Sequence, residues 1–268
     1  MAGKRLALIA ILCLAPTATL AQELPEEDPQ QKPSVRLTLG AGLAHVPSYP
    51  GADRYRLRGI PVFGAGYGRF FAGGDEGAGG AGGAVGMNLL RDPAWRLGVA
   101  LALGFGDARR ESDHPSLAGL GDIERASRFV VFGGYTWRWL SATLRVATDI
   151  EGKDQGTLAF FDLLARHRAT PKLTFSAGPG LTWASDDYMM TFFGVTPEQS
   201  ARSGLPAYEA SAGGQAVRFG AGAGYRIDGS WSVGARISTS RLGGDAGPSP
   251  ITRERTQNLA ALFASYRF

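Results

Sequence analysis

From Val35 to the last residue, apolar side chains recur at every second position in one short segment after another, and that period belongs to strands rather than helices. The cleanest segment sets Trp95, Leu97, Val99, Leu101, Leu103 and Phe105 against Arg96, Gly98, Ala100, Ala102 and Gly104. Val35, Leu37, Leu39, Ala41 and Leu43 make an earlier one. Phe129, Val131, Gly133, Tyr135 and Trp137 are followed by Leu140, Ala142, Leu144, Val146 and Ile150 on the opposite parity, the change a tight turn produces. Ala159 to Ala165, Leu173 to Trp183, Val217 to Tyr225 and Trp231 to Ile237 repeat the alternation. The final eleven residues place Ala260, Leu262, Ala264, Tyr266 and Phe268 on one face and end on an aromatic ring. A strand of that kind closes an outer-membrane barrel, and Tyr266 and Phe268 read as its C-terminal assembly signal.

The composition of the two faces says which one meets lipid. Gly40, Gly42, Gly98, Gly220, Gly222, Gly224 and Gly234 fall in line with Arg36, Arg96, Arg128, Arg145, Arg166, Arg218 and Arg236. A soluble barrel carries its apolar residues inside and its polar ones outside. Here the small and charged residues share a face, so the apolar stripe faces lipid and the arginines face the lumen. Those arginines admit two readings. They form a narrow anion-preferring pore, or Arg145, Arg166 and their neighbours pair with Asp149 and Asp162 and fill the interior. The second is preferred, because a barrel of this size has little spare volume.

Connection lengths give the topology. Tight links fall at Tyr67 to Arg69, Arg91 to Pro93, Arg138, Ala169 to Pro171 and Asp228 to Ser230. Longer links at 45–53, 74–77, 107–126, 151–156, 185–215 and 241–255 alternate with them. Short periplasmic turns alternating with long outer loops require an even strand count with both termini in the periplasm. The chain therefore reads as an all-β, antiparallel, up-and-down transmembrane barrel of about twelve strands, or ten if the glycine-rich stretch around 64–90 holds one hairpin fewer. Trp95, Trp137, Trp139 and Trp231 flank short turns, while Trp183 and Tyr188 stand at the opposite end, which predicts two interfacial girdles.

Residues 1–21 read as a secretory signal, with Lys4 and Arg5 before the apolar run Leu6 to Ala15 and small residues near Ala21. The only cysteine, Cys13, lies inside it. Residues 22–34 are polar and proline-rich and read as a flexible periplasmic leader, with the barrel over 35–268. Of 28 Lys and Arg against 24 Asp and Glu, removing Lys4 and Arg5 leaves 26 against 24, a net charge of +2. So small an excess does not suggest nucleic acid as a partner. After the signal, no apolar run approaches the roughly 20 residues of a membrane helix.

Catalytic chemistry has little to draw on. Of three histidines, His45 and His114 fall in outer links and His167 near the opposite end of a strand. Glu111-Ser-Asp-His114 places a serine and carboxylates beside His114, but adjacency in sequence does not align a triad. Asp186 and Asp187 with Asp122 could meet calcium, though carboxylates at a loop edge more often stay solvated or pair with a base such as Arg202. No metal-ligand spacing, phosphate loop or nucleotide fingerprint is present, so neither metal nor cofactor is expected. The link 185–215, with Tyr188, Phe192, Phe193 and Leu205, is too apolar to be a solvated tail. Its aromatic content predicts an ordered segment packed at the barrel mouth, as a cap or a partner contact.

Several stretches add a resemblance. The longest is GLTWASDDYMMTFFGVTPEQSARSGLPAY, Gly180 to Tyr208, supported by PSYPGADRYR (47–56), MNLLR (87–91), LAGLGD (117–122) and ASYRF (264–268). These resemble the MltA-interacting protein family, MipA/OmpV, across nearly the whole chain after the signal, although Gly73 to Gly83 is looser than the family's usual strand pair. The resemblance implies a non-enzymatic outer-membrane barrel that scaffolds a murein-synthesising complex by holding a lytic transglycosylase and a penicillin-binding protein. Beside it stand a small anion or solute channel, from the arginine face, and a surface adhesin or envelope-stress protein, from the long loops.

Overall fold

The computed structural model describes residues 35–73, 83–103 and 108–268. The expected signal and leader lie outside the described residues. The strands are β1 (Arg36–Pro47), β2 (Tyr55–Tyr67), β3 (Phe70–Gly73), β4 (Ala84–Arg91), β5 (Trp95–Ala102) and β6 (Arg128–Trp137). They continue as β7 (Leu140–Asp149), β8 (Thr157–Arg168), β9 (Leu173–Ala184), β10 (Gly213–Arg226), β11 (Trp231–Leu242) and β12 (Thr256–Arg267). Each pairs antiparallel with its sequence neighbours, and β12 returns to β1, so twelve strands close into an up-and-down barrel. Closure runs through Leu39 opposite Tyr266 and Leu43 opposite Leu262. The Phe268 N–H adds a bond to the Leu37 carbonyl at 3.0 Å. Closing the sheet pairs the first strand with the last, and a closed sheet is what lets strands cross a membrane. Among the described residues no helix is long and apolar enough to do so.

The parity read from the sequence is the parity of the structure. Leu39, Leu43, Leu101, Leu144, Phe161, Phe219, Ile237 and Leu262 all stand exposed on the outer face. An exposed apolar belt around a closed barrel is the surface lipid requires. At the end carrying the short turns, Trp95 packs on Tyr135 with ring centroids 4.6 Å apart, and Trp231 on Tyr266 at 5.2 Å. Trp183 stands exposed at the other end. Tyr188 does not join that girdle, because it belongs to a helix and is 2% exposed.

Local chemistry explains the irregularities. Pro61 lies on the part of β2 that β3 does not reach among the described residues, so its missing N–H costs that pairing no ladder bond. Pro179 sits where the β8–β9 ladder skips from Asp162 opposite Gly180 to Ala165 opposite Ala177. Gly98 and Gly234 are needed for space. The inward ring of Phe132 lies across Gly98 and that of Phe263 across Gly234, where a Cβ would collide. In the glycine-rich stretch β3 has only four residues and β4 carries a bulge between Asn88 and Leu90, which blurs the alternation there.

Candidate functional site

The lumen changes character along its axis. In its loop-side half the inward residues are buried: Ala44, Val46, Val130, Phe132, Ala147, Leu158 and Phe160 are each at most 6% exposed. In the turn-side half the inward residues Arg36, Thr38, Gly66, Ser176 and Gly220 are only half-buried. The interior is therefore a cup, filled at the loop end and accessible at the turn end.

The filling begins with the cap. Two helices form in the 185–215 link, α1 (Asp186–Phe193) and α2 (Pro197–Ser203). The second has a complete N-terminal capping box, with Gln199 N–H bonded to Thr196 Oγ1 and Gln199 Oε1 accepting from Thr196 N–H. It ends on Gly204 at φ 75°, a left-handed cap that suits glycine. From α1, Tyr188, Phe192 and Phe193, at 2%, 2% and 0% exposed, pack with Met189 onto Leu158 and Phe160 of the wall and onto Leu242 and Ala246. A second cluster joins Tyr49, Leu117, Leu120, Val195 and Ile251, with Leu205 partly buried against it. The link is thus ordered and its aromatic rings are removed from water.

Polar struts tie the cap to the other loops. The last carbonyls of α1 would be orphaned by burial. Arg109 Nη1 donates to the Phe192 carbonyl at 2.8 Å, and Ser249 Oγ to the Phe193 carbonyl at 2.6 Å. Arg109 is 1% exposed, and burial pulls its guanidinium down to about 10 against the opposing influence of Tyr49 and Tyr188. Gln199 Nε2 donates to the Leu120 carbonyl at 2.7 Å, Tyr208 Oη to that of Asp245 at 2.9 Å, and Tyr49 Oη to that of Ile251 at 3.1 Å.

Below the cap lies a polar layer at mid-lumen. Arg218 Nη2 meets Asp162 Oδ1 at 2.5 Å, and its Nη1 donates to Thr182 Oγ1. Two guanidinia lie against the Phe160 ring, that of Arg145 at 4.5 Å and that of Arg218 at 5.5 Å. Asp162, Arg218 and Arg236 line a cavity of about 20 Å3 beside the ladder break at Pro179, room for little more than a water. The seven predicted arginines therefore occupy three levels rather than one ring. Arg128 is at the loop end, bonded to Gln155 and lying 5.7 Å from the Tyr188 ring. Arg145, Arg218 and Arg236 are in the middle, and Arg36, Arg96 and Arg166 stand near the turns.

The expected ion pairs are partly rearranged. Asp162 pairs with Arg218, and the Arg145 guanidinium lies 4.5 Å from the Phe160 ring. Asp149 accepts the backbone N–H groups of Glu151, Lys153 and Gln155 and so shapes the β7–β8 loop. Asp186 and Asp122 accept backbone N–H groups of Ala212 and Glu111, and Arg202 donates to the Gly119 carbonyl rather than to a carboxylate.

Among the described residues, catalytic residue types meet at His114, and its partners are not all the ones adjacent in sequence. Asp113 is taken by Arg56 at 2.7 Å. His114 Nδ1 is 2.8 Å from Ser116 Oγ, and its Nε2 is 3.1 Å from Asp53 Oδ1. The same Nδ1 accepts the Ser116 backbone N–H at 3.1 Å, capping a short helical turn, and Nε2 is not aligned for a hydrogen bond to Asp53. A serine nucleophile needs a base held in line by its third partner. This imidazole instead serves as a cap that pins two loops together.

Sequence reasoning missed Arg109, Arg226 and Arg267. Arg226 and Arg267 end β10 and β12 on lumen parity, and extending the alternation one residue beyond Tyr225 and Tyr266 reaches both. Nothing in the sequence around Arg109 announces its burial.

Solved structures similar to the chain include OmpT of Vibrio cholerae, at 10% identity over 88% of this chain and 97% of that one with a TM-score of 0.40. An anion-selective porin from Comamonas acidovorans is similar at 9% identity over 88% and 99%, with a TM-score of 0.39. No curated protein matches the chain. The model of the family described as MltA-interacting protein MipA matches residues 39–268. An outer-membrane barrel closed by a C-terminal aromatic strand and capped by the Gly180 to Tyr208 segment, this chain belongs to the MipA family.

Proposed function

We propose that the protein is a non-enzymatic outer-membrane scaffold that holds a lytic transglycosylase, and with it a penicillin-binding protein, at the turn end of the barrel. The family description names an interaction with MltA, a lytic transglycosylase. The observation that carries the reading is the closed loop end. With cap and loop-side lumen packed, the accessible recess is the turn-end cup, which faces the periplasm when short turns do. The Ser116–His114–Asp53 cluster acts within the cap as a structural pin, and Tyr188, Phe192, Phe193 and Leu205 act as its apolar core.

Crosslinking in intact envelopes tests this. A photoreactive residue at Asp228, in a turn, recovers murein enzymes on purification, whereas one at Glu198, in the cap, does not. Recovery of no murein enzyme from any turn position would remove the scaffold reading. The arginine-lined interior supports a second reading, a small anion channel. That reading requires the Asp162–Arg218 layer to part, and planar-bilayer recording separates the two.

A further inference from the structure

The small mid-lumen cavity is kept open by the wall around it. Between Asp162 opposite Gly180 and Ala165 opposite Ala177 the β8–β9 ladder drops its pairing. The residues left out of it, Leu163, Leu164, Gly178 and Pro179, all line the cavity. Gly180 and Gly220 border the same space without a side chain, and a Cβ at Gly180 would collide with both Asp162 and Arg218. About 20 Å3 thus stays unfilled at the floor of the cup.

The charged side chains that line this space do not balance. Two guanidinia, Arg218 and Arg236, share one carboxylate, Asp162. Arg218 gives Nη2 to Asp162 at 2.5 Å and Nη1 to Thr182. Its Nε–H, the Arg236 guanidinium and the hydroxyls of Ser176 and Ser238 have no hydrogen-bond partner among the described residues. One positive charge is therefore left over, beside side chains only 10% and 7% exposed in Arg218 and Asp162. A guanidinium does not shed its proton to escape burial, so what compensates it is an anion.

From this arrangement we infer that the cavity is a binding site for one monatomic anion, a halide such as chloride, held between Arg218 and Arg236 with the Ser176 and Ser238 hydroxyls as further donors. Size excludes the oxyanions, since phosphate, sulfate and carboxylate groups all exceed a space that takes little more than a water. A water fits as well as a halide but brings no charge. Entry is from the turn end, because Ser176 and Gly220 belong both to the cavity and to the accessible half of the lumen. The bound halide gives Arg236 a counter-ion of its own and leaves Asp162 to Arg218. It thereby holds together the layer that would have to part for a pore to open, whether or not the barrel scaffolds a partner.

Chloride-35 NMR on the purified full-length barrel in detergent tests the site directly, with gluconate making up constant ionic strength. The barrel broadens the chloride line saturably, bromide reverses the broadening and sulfate does not. Arg236→Gln lowers chloride affinity on the order of tenfold or more, as loss of a charged partner does. Arg69→Gln, which removes an exposed turn charge outside the lumen, changes it about twofold at most. Urea unfolding in lipid vesicles gives a second readout. Only the folded barrel has the site, so chloride at ten times its dissociation constant lowers the unfolding equilibrium constant about elevenfold, and this effect is lost in Arg236→Gln. Heat-modifiable migration shows whether each variant has folded. If Arg236→Gln fails to fold, Ser238→Ala decides, since it keeps every charge and removes one donor, weakening chloride binding about tenfold. No saturable broadening would mean that the cavity holds water and would overturn the inference. So would reversal by sulfate as readily as by bromide, equal losses in Arg236→Gln and Arg69→Gln, or unaltered chloride affinity in a folded Ser238→Ala barrel.

Discussion

Replacing Asp162 with asparagine removes the carboxylate that holds Arg218 at mid-lumen, where the two side chains are 7% and 10% exposed. Breaking a buried pair by removing one partner costs about 3–5 kcal/mol, since the survivor keeps its charge without compensation. The two halves of the pair are not equivalent. Arg236 lines the same cavity, attracted to Asp162 and repelled by Arg218. Arg218→Gln therefore leaves Asp162 a second cation, and its cost falls to about 1.5–3 kcal/mol, the range for a hydrogen bond to a charged group. Asp162→Asn leaves two guanidinia without their shared carboxylate and takes the full loss, about two to four powers of ten in the folding equilibrium. Urea unfolding of the purified barrel in lipid vesicles, followed by tryptophan fluorescence and heat-modifiable migration, measures both. An Asp162→Asn cost near zero, or a larger cost for Arg218→Gln, would refute the account of this layer.

Leu144 is 53% exposed near the middle of β7, so Leu144→Arg places a charge against lipid at a cost of ~2–4 kcal/mol and should sharply lower the yield of heat-modifiable barrel; normal assembly would reverse the face assignment. Phe193→Ala, at a position 0% exposed, should cost about 3–5 kcal/mol and loosen the cap before the barrel. Tryptic cleavage after Arg202 then accelerates about a hundredfold while the barrel keeps its migration, and an unchanged cleavage rate would mean that α1 does not hold the cap down. Hydrogen bonds from Ser127 and then Lys153 hold the Glu151 carboxyl down at about 2. A carboxylate with a depressed folded value stabilises the loop above its ordinary value near 4.5 and loses that contribution as pH falls toward 2. Amide shifts of residues 151–156 that follow this carboxyl should therefore hold from pH 7 down past 4.5 and move only as pH approaches 2; a midpoint near 4.5 would count against it.

Strands, parity and the alternation of short and long links were legible because a membrane makes the period-2 pattern nearly obligatory, and nothing in β5 or β12 competes with it. The 185–215 link was legible only as an ordered apolar segment. α2 carries local signals in Thr196, Pro197, Gln199 and Gly204 that the sequence reading passed over, but the contacts that seat the helices, such as Phe193 with Ser249 and Gln199 with Leu120, have none. Tyr188 was drawn into the girdle by its nearness to Trp183, yet the turn of helix that starts at Asp186 carries it inward. The arginines are spread along the lumen. Their division into a bonded loop end, a paired middle and an open mouth depends on which strands stand beside one another, and Asp162 finds Arg218 across β9 rather than on an adjacent strand.

The central claim is that this barrel is closed at its loop end and works as a holder, so conductance tests it most directly. Purified protein inserted into planar bilayers in 1 M potassium chloride should give no steps above the leak of the bare membrane, at either polarity. Reproducible open-channel steps from the unaltered protein, with selectivity for anions, would contradict the closed lumen and establish a pore in its place.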